Sequence, residues 1–211
     1  MGWRPTTGLA KIPDMRPDRT IFHNVVAAIR QRMRGFFVIS AIFFLATSAS
    51  AQNSTDMDEL FGRLAEPQGE GWRIAESDIL REWSKSGSSA MDLLLQRGEE
   101  ALDRGDTAAA IGHLTALIDH APDFPAGYQA RAAAYVAAGQ FGPAFHDLAR
   151  ALQLEPRYFP ALTQLAIMLE DTGDAERALA AYRESLRIHP HQQEAIDGVA
   201  RLERQQDGTG I

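Results

Sequence analysis

Residues 91–124 read MDLLLQRGEEALDRGDTAAAIGHLTALIDHAPDF, residues 125–158 read PAGYQARAAAYVAAGQFGPAFHDLARALQLEPRY, and residues 159–192 read FPALTQLAIMLEDTGDAERALAAYRESLRIHPHQ. Set under one another, the three stretches hold one 34-residue register with no residue gained or lost. Gly105, Gly139 and Gly173 share a column, as do Ala110, Ala144 and Ala178, and Pro122, Pro156 and Pro190. Each unit offers about fourteen residues of apolar periodicity, a Gly turn, a second helix-length stretch and then Pro, which is the layout of a helix-turn-helix repeat. Glycine supplies the left-handed residue that ends a helix, and Asp106 and Asp174 directly after it are placed to cap the next one. In the middle unit the following residue is Gln140, a weaker cap. Small residues at Gly98, Ala132 and Ala166, and in the Ala110 column, let the two helices of a unit approach closely.

Tyr128, Ala132, Tyr135, Ala144, Leu148 and Pro156 in the middle unit carry a known signature. The third unit supplies Leu162, Leu165, Ala166, Leu169, Ala178, Tyr182 and Pro190, and the first supplies Leu94, Gly98, Ala101, Ala110, Leu114 and Pro122. On these residues the stretch 91–192 resembles the tetratricopeptide repeat family. The departures are Arg97 and Arg131 where Leu is usual and Leu117 where a small residue is usual. The resemblance implies an all-α, right-handed α-solenoid of three helix-turn-helix repeats (91–124, 125–158 and 159–192) with helical caps at both ends. It also implies a protein-binding mode, without naming a partner. A buried Arg must be paired, because an uncompensated buried charge costs several kcal/mol. For Arg131 the resemblance points to Asp147 on the facing helix.

In this family the concave face is lined by the first helix of each unit. Here the matching positions are Asp92, Leu95, Glu99, Leu102 and Asp103, then Ala126, Gln129, Ala133, Val136 and Ala137, then Pro160, Thr163, Ile167, Glu170 and Asp171. The middle set is apolar and uncharged and the outer sets carry carboxylates. That pattern suits a protein or peptide with basic residues flanking an apolar stretch. Family members that grip an acidic chain terminus use Lys, Asn and Arg at set columns. The matching residues are Leu95, Glu99, Ala130, Pro160 and Gln164, none of which donates a charged hydrogen bond to a carboxylate.

Composition bounds the alternatives. Of 211 residues 45% are apolar, enough for one ordinary core. The net charge of −7 divides unevenly, at +5 over residues 1–51 and −12 over residues 52–211. That acidity argues against nucleic acid or an anionic membrane surface as the partner. There is no cysteine, which removes thiol catalysis, thiolate metal sites and disulfides together.

Arg30, Arg32 and Arg34 precede an apolar run over 36–46, and Ala49, Ser50 and Ala51 follow. This is the form of a secretory leader with cleavage before Gln52 and a periplasmic destination. This stretch of eleven residues, apolar except for Ser40, is shorter than the ~20 that a spanning helix needs. Residues 1–51 are assigned to this leader, with 1–32 read either as an extension ahead of a start at Met33 or as an unusually long basic segment of a leader that starts at Met1. Residues 52–90 form the amino-terminal cap, with helices expected over 56–65 and 70–85. The second gathers Trp72, Ile79, Leu80 and Trp83 on one face, to lie against the first repeat. This Trp-bearing segment resembles small exported proteins of alphaproteobacteria. Residues 193–211 form a closing helix and tail, with Ala195, Ile196, Val199 and Leu202 facing inward.

No catalytic motif stands in the chain. His189 and His191 flank Pro190, and together with Glu194 they are the candidate for a metal-dependent or hydrolytic enzyme; the expectation is that no metal or other cofactor is used. The sequence therefore reads as an exported interaction or scaffold module, with that enzyme and a permanent subunit of an envelope assembly complex as the alternatives.

Overall fold

A computed structural model describes residues 57–66 and 68–208. The leader, including Ala49, Ala51 and Gln52, lies outside the described residues. Nine helices and no strands occur among them: α1 (57–64), α2 (Gly71–Trp83), α3 (Ser89–Asp103), α4 (Thr107–His120), α5 (Pro125–Ala137), α6 (Phe141–Leu154), α7 (Phe159–Asp171), α8 (Ala175–Ile188) and α9 (Gln193–Gly208). Helices α3 to α8 pack as three antiparallel pairs, each pair also touching the next, and α9 closes the array against α8. No described helix is long and apolar enough to cross a membrane.

The turns inside the pairs follow from their residue types. Gly105, Gly139 and Gly173 have φ of 75°, 71° and 81°, a region an L side chain enters only with strain. After Gly105, the Asp106 N–H reaches back to the Ala101 carbonyl at 2.9 Å while Gly105 N–H bonds Leu102 at 2.8 Å, and the other two turns repeat the pattern. These bonds satisfy carbonyls that the ending helix leaves free. The Asp106 carboxylate then accepts from Ala109 N–H at 3.0 Å and that of Asp174 from Arg177 N–H at 3.1 Å, whereas Gln140 makes no side-chain cap. Pro125 and Pro160 sit in the first turns of α5 and α7, where a missing N–H does no harm.

The core runs through the facing sides of the pairs, with Leu114, Leu148, Leu152, Leu169 and Tyr182 fully buried. A Cβ added to Gly98 would lie 2.5 Å from Leu114 Cγ, so this glycine sets how closely α3 and α4 approach. Arg97, in a column that usually faces inward, is exposed. Ile196, expected on the inner face of α9, is 38% exposed, while Ala195 and Leu202 are buried.

The α1–α2 hairpin differs in place from the sequence expectation. Its aromatic residues meet the turns around the third repeat rather than the first repeat. Trp83 packs on Tyr158 and Phe159 at ring distances of 4.6 and 5.3 Å, and Trp72 stacks on His191 at 4.7 Å. Leu80, on the expected apolar face, is 40% exposed.

Candidate functional site

The concave positions fall into three groups. Leu95, Ala126 and Thr163 are buried at 5%, 6% and 2% exposure and belong to the core. Thr163 Oγ1 lies 3.0 Å from Ser185 Oγ and donates to Gln192 Oε1 at 2.9 Å, so it ties the third repeat to the turn before α9. Leu102, Ala133, Val136, Ile167 and Pro160 are half-buried, forming an apolar strip that remains reachable. Ala137 is exposed, and Gln129 donates to Gln164 Oε1 at 2.7 Å, bridging α5 and α7.

The carboxylates divide just as sharply. Asp92 accepts from Ser86 N–H at 2.7 Å and Ser86 Oγ at 2.6 Å, which holds its carboxyl below the usual range and pins the link before α3. Glu170 receives Arg201 Nε at 2.6 Å and Nη2 at 2.8 Å, and Tyr182 OH donates to it at 3.0 Å. The Arg201 hydrogen bonds lower its pKa, and burial pushes the Tyr182 phenol up, with Glu170 adding to that. Glu170 is thereby committed to holding α9. Glu99, Asp103 and Asp171 are exposed and form no ion pair among the described residues. Desolvation in the concave wall, with Asp103 alongside, raises the Glu99 pKa.

Arg131 and Asp147 meet across α5 and α6. Arg131 donates Nε to Asp147 Oδ2 at 2.7 Å and Nη2 to Oδ1 at 2.9 Å, a two-bond fork, and Nη1 reaches Thr115 Oγ1 at 3.2 Å. The Arg131 side chain is 15% exposed and that of Asp147 2%. The guanidinium also lies 5.7 Å from the Tyr135 ring and 6.0 Å from that of Tyr128. The Asp147 hydrogen bonds raise the Arg131 pKa.

His189 and His191 do not come together with Glu194 as ligands. The His189 ring is fully buried, edge-on to Phe159 at 4.9 Å and 5.8 Å from Trp72, with Glu76 Oε1 3.1 Å from Nε2. That approach is off the hydrogen-bonding direction, and neither ring nitrogen makes a hydrogen bond. Burial pushes the His189 pKa down against the pull of Glu76. His191 Nε2 donates to the Glu66 carbonyl at 2.6 Å. No cluster of three or more His, Asp or Glu among the described residues is arranged to hold a metal.

Three residues outside the sequence expectation complete this edge: Arg157 and Tyr158 in the turn between the second and third repeats, and Phe159 at the start of α7. Arg157 pairs with Asp58 at 2.7 Å and lies 4.1 Å over the Phe61 ring. Tyr158 is buried, and burial, then Glu99, raises its pKa. Their signal in the sequence is an Arg and two adjacent aromatics at the junction of two repeats, where polar residues are the norm.

Comparisons with known proteins agree with this architecture. No family model matches the chain. A TPR repeat-containing protein of Rhizobium etli is 29% identical over 156 residues, 74% of this chain and 76% of that protein. The TPR domain of Sgt2 from Aspergillus fumigatus superposes with a TM-score of 0.55 at 27% identity, over 58% of this chain and 82% of that one. The first TPR of Spaghetti (RPAP3), solved bound to the HSP90 peptide SRMEEVD, superposes with a TM-score of 0.53 at 23% identity, over 56% of this chain and 93% of that one. With the paired-helix repeat in the structure, the chain has the fold of tetratricopeptide repeat proteins and is similar to these relatives in sequence.

Proposed function

We propose that the chain is an exported protein-interaction module whose concave face takes a partner segment with basic residues around an apolar stretch. The observation that carries this is the pairing of a reachable apolar strip, Leu102, Ala133, Val136 and Ile167, with three exposed carboxylates, Glu99, Asp103 and Asp171, that have no basic partner among the described residues. A peptide-bound relative such as the RPAP3 domain supports peptide capture as the use of such a face. The acidic ligand of that domain is not carried over, because Leu95, Glu99, Ala130, Pro160 and Gln164 offer it no cation. Exposed charge pairs weaken as salt rises, so a basic ligand is held more tightly at low ionic strength.

Two labelled peptides test the reading: a short one with lysines at both ends of a Leu/Val core, and SRMEEVD. The basic peptide is expected to bind, more weakly with added salt, and SRMEEVD is expected not to bind. The reverse preference rejects the proposal. Export rests on Arg30, Arg32 and Arg34, the apolar run over 36–46 and the Ala49-Ser50-Ala51 ending. Amino-terminal sequencing of protein from the periplasm is expected to begin at Gln52, and an intact leader there rejects it.

A further inference from the structure

We infer that the concave face is polarised: Arg201 of α9 fills the acidic seat of the third repeat from within, so a ligand is anchored by one basic side chain, at Glu99 and Asp103 of the first repeat, with its apolar stretch running toward Ile167. The inference rests on the concave-face reading and names which end of that face takes the cation.

The two ends of the face hold carboxylates in different states. At the third repeat Glu170 takes Arg201 Nε at 2.6 Å on one oxygen, and Arg201 Nη2 at 2.8 Å and Tyr182 OH at 3.0 Å on the other, so both oxygens are engaged. The Glu170 side chain is 18% exposed and that of Arg201 46%, which sets the guanidinium at the rim, where the cation of a ligand would otherwise sit. Asp171 is left at that end as a lone exposed carboxylate, and a single exposed ion pair contributes little.

At the first repeat the demand is unmet. Glu99 and Asp103 stand one turn apart on α3, a spacing at which like charges repel, and neither makes an ion pair or hydrogen bond among the described residues. Desolvation, with Asp103 second, pushes the Glu99 pKa up, a cost that a bound cation relieves. Tyr158 adds an independent sign: it is 4% exposed, its ring packs on Trp83, its hydroxyl makes no hydrogen bond among the described residues, and the Glu99 charge bears on its phenol. A Lys or Arg head carries several N–H donors, enough for two carboxylates and a phenol oxygen together. The column that holds Glu99 continues as Ala133 and then Ile167, so the face turns from charged to apolar along one line. With neighbouring helices about 10 Å apart, that line spans roughly 20 Å, the reach of about six extended residues.

Three labelled peptides with capped ends and one Leu/Val core serve as probes, with Lys at both ends, at the amino end alone, or at the carboxyl end alone. On the wild-type chain the better single-lysine peptide is expected to match the double one within twofold. Glu99→Gln is expected to weaken it at least tenfold and Tyr158→Phe, which keeps the packed ring, about threefold, while Asp171→Asn changes it less than twofold. Arg201→Gln frees Glu170 and is expected to make the second lysine count, giving the double peptide a preference of about tenfold. A tenfold preference for the double peptide on the wild-type chain, or Asp171→Asn as harmful as Glu99→Gln, overturns the inference and leaves the concave-face reading standing. Binding that is indifferent to Glu99→Gln and Tyr158→Phe overturns it as well. Failure of all three peptides to bind the wild-type chain overturns that reading and the inference with it.

Discussion

Arg131 reaches a carboxylate supplied sixteen positions later by the same repeat, and both partners are largely withdrawn from water. Removing one partner strands the other, so Asp147→Ala is expected to destabilise the array by ~3 kcal/mol or more in a denaturant titration. Arg131→Leu together with Asp147→Ala is expected to recover much of that loss, since it leaves an apolar side chain in the column that normally holds one. A double variant no better than the single rejects the account. The pairing is legible in the sequence through the family resemblance, which sets the two columns face to face. Arg97 stands in the same column and is exposed, because the first unit opposes it with Gly and Ala residues and no acid at the Asp147 column, where His113 stands. A column states which way a side chain usually points; the facing residue decides whether a charge stays there.

At the scale of helices and turns, close approach and capping do most of the specification. Gly98→Ala gains helix propensity of roughly 0.5–1 kcal/mol but drives a Cβ into the branch point of a fully buried Leu114. Overpacking of this kind costs about 1–3 kcal/mol, so a net loss of stability and a lower melting temperature are expected, and an unchanged one rejects the tight contact. The closing helix is held differently. Glu170 is bound by Arg201 from α9 and by Tyr182 from α8, and the Arg201 bonds set its pKa below the ordinary value. A carboxyl whose folded pKa is depressed adds stability above its unfolded pKa and loses it as pH falls through the folded value. Fraying of α9 is therefore expected below about pH 4, near the ordinary Glu range, with amide exchange in α9 rising before that of α5 and α6. Glu170→Gln is expected to produce the same fraying at neutral pH, by about 1 kcal/mol for so exposed an Arg. The sequence shows Glu170 only as a carboxylate on the concave wall, because nothing in the repeat pattern says where Arg201 of a non-repeat helix will fall.

For the whole molecule, the repeats were legible because each helix packs mainly on its sequence neighbours, so local period and order of elements suffice. The hairpin was legible as two helices with an apolar face, and its address was not: amphipathicity says which side is buried, never against what. Its docking joins residues as far apart as Asp58 and Arg157, and His191 and the Glu66 carbonyl, which no periodicity encodes. The hairpin joins the same core, with Leu64, Ala75 and Ile79 fully buried in it, but no repeat helix meets α2 as extensively as the paired helices meet each other. As an end element held on one side, the hairpin is expected to unfold before the repeats. The tryptophans at 72 and 83 both lie on α2, and none occurs in the repeats, so in protein starting at Gln52 Trp fluorescence reads the hairpin alone. Far-UV circular dichroism instead weighs mainly the seven helices of 89–208. In urea, the fluorescence transition is expected at lower concentration than the circular dichroism transition, and Asp58→Arg is expected to move the first and leave the second in place. Coincident transitions that shift together with Asp58→Arg would mark a single cooperative unit and reject the separation.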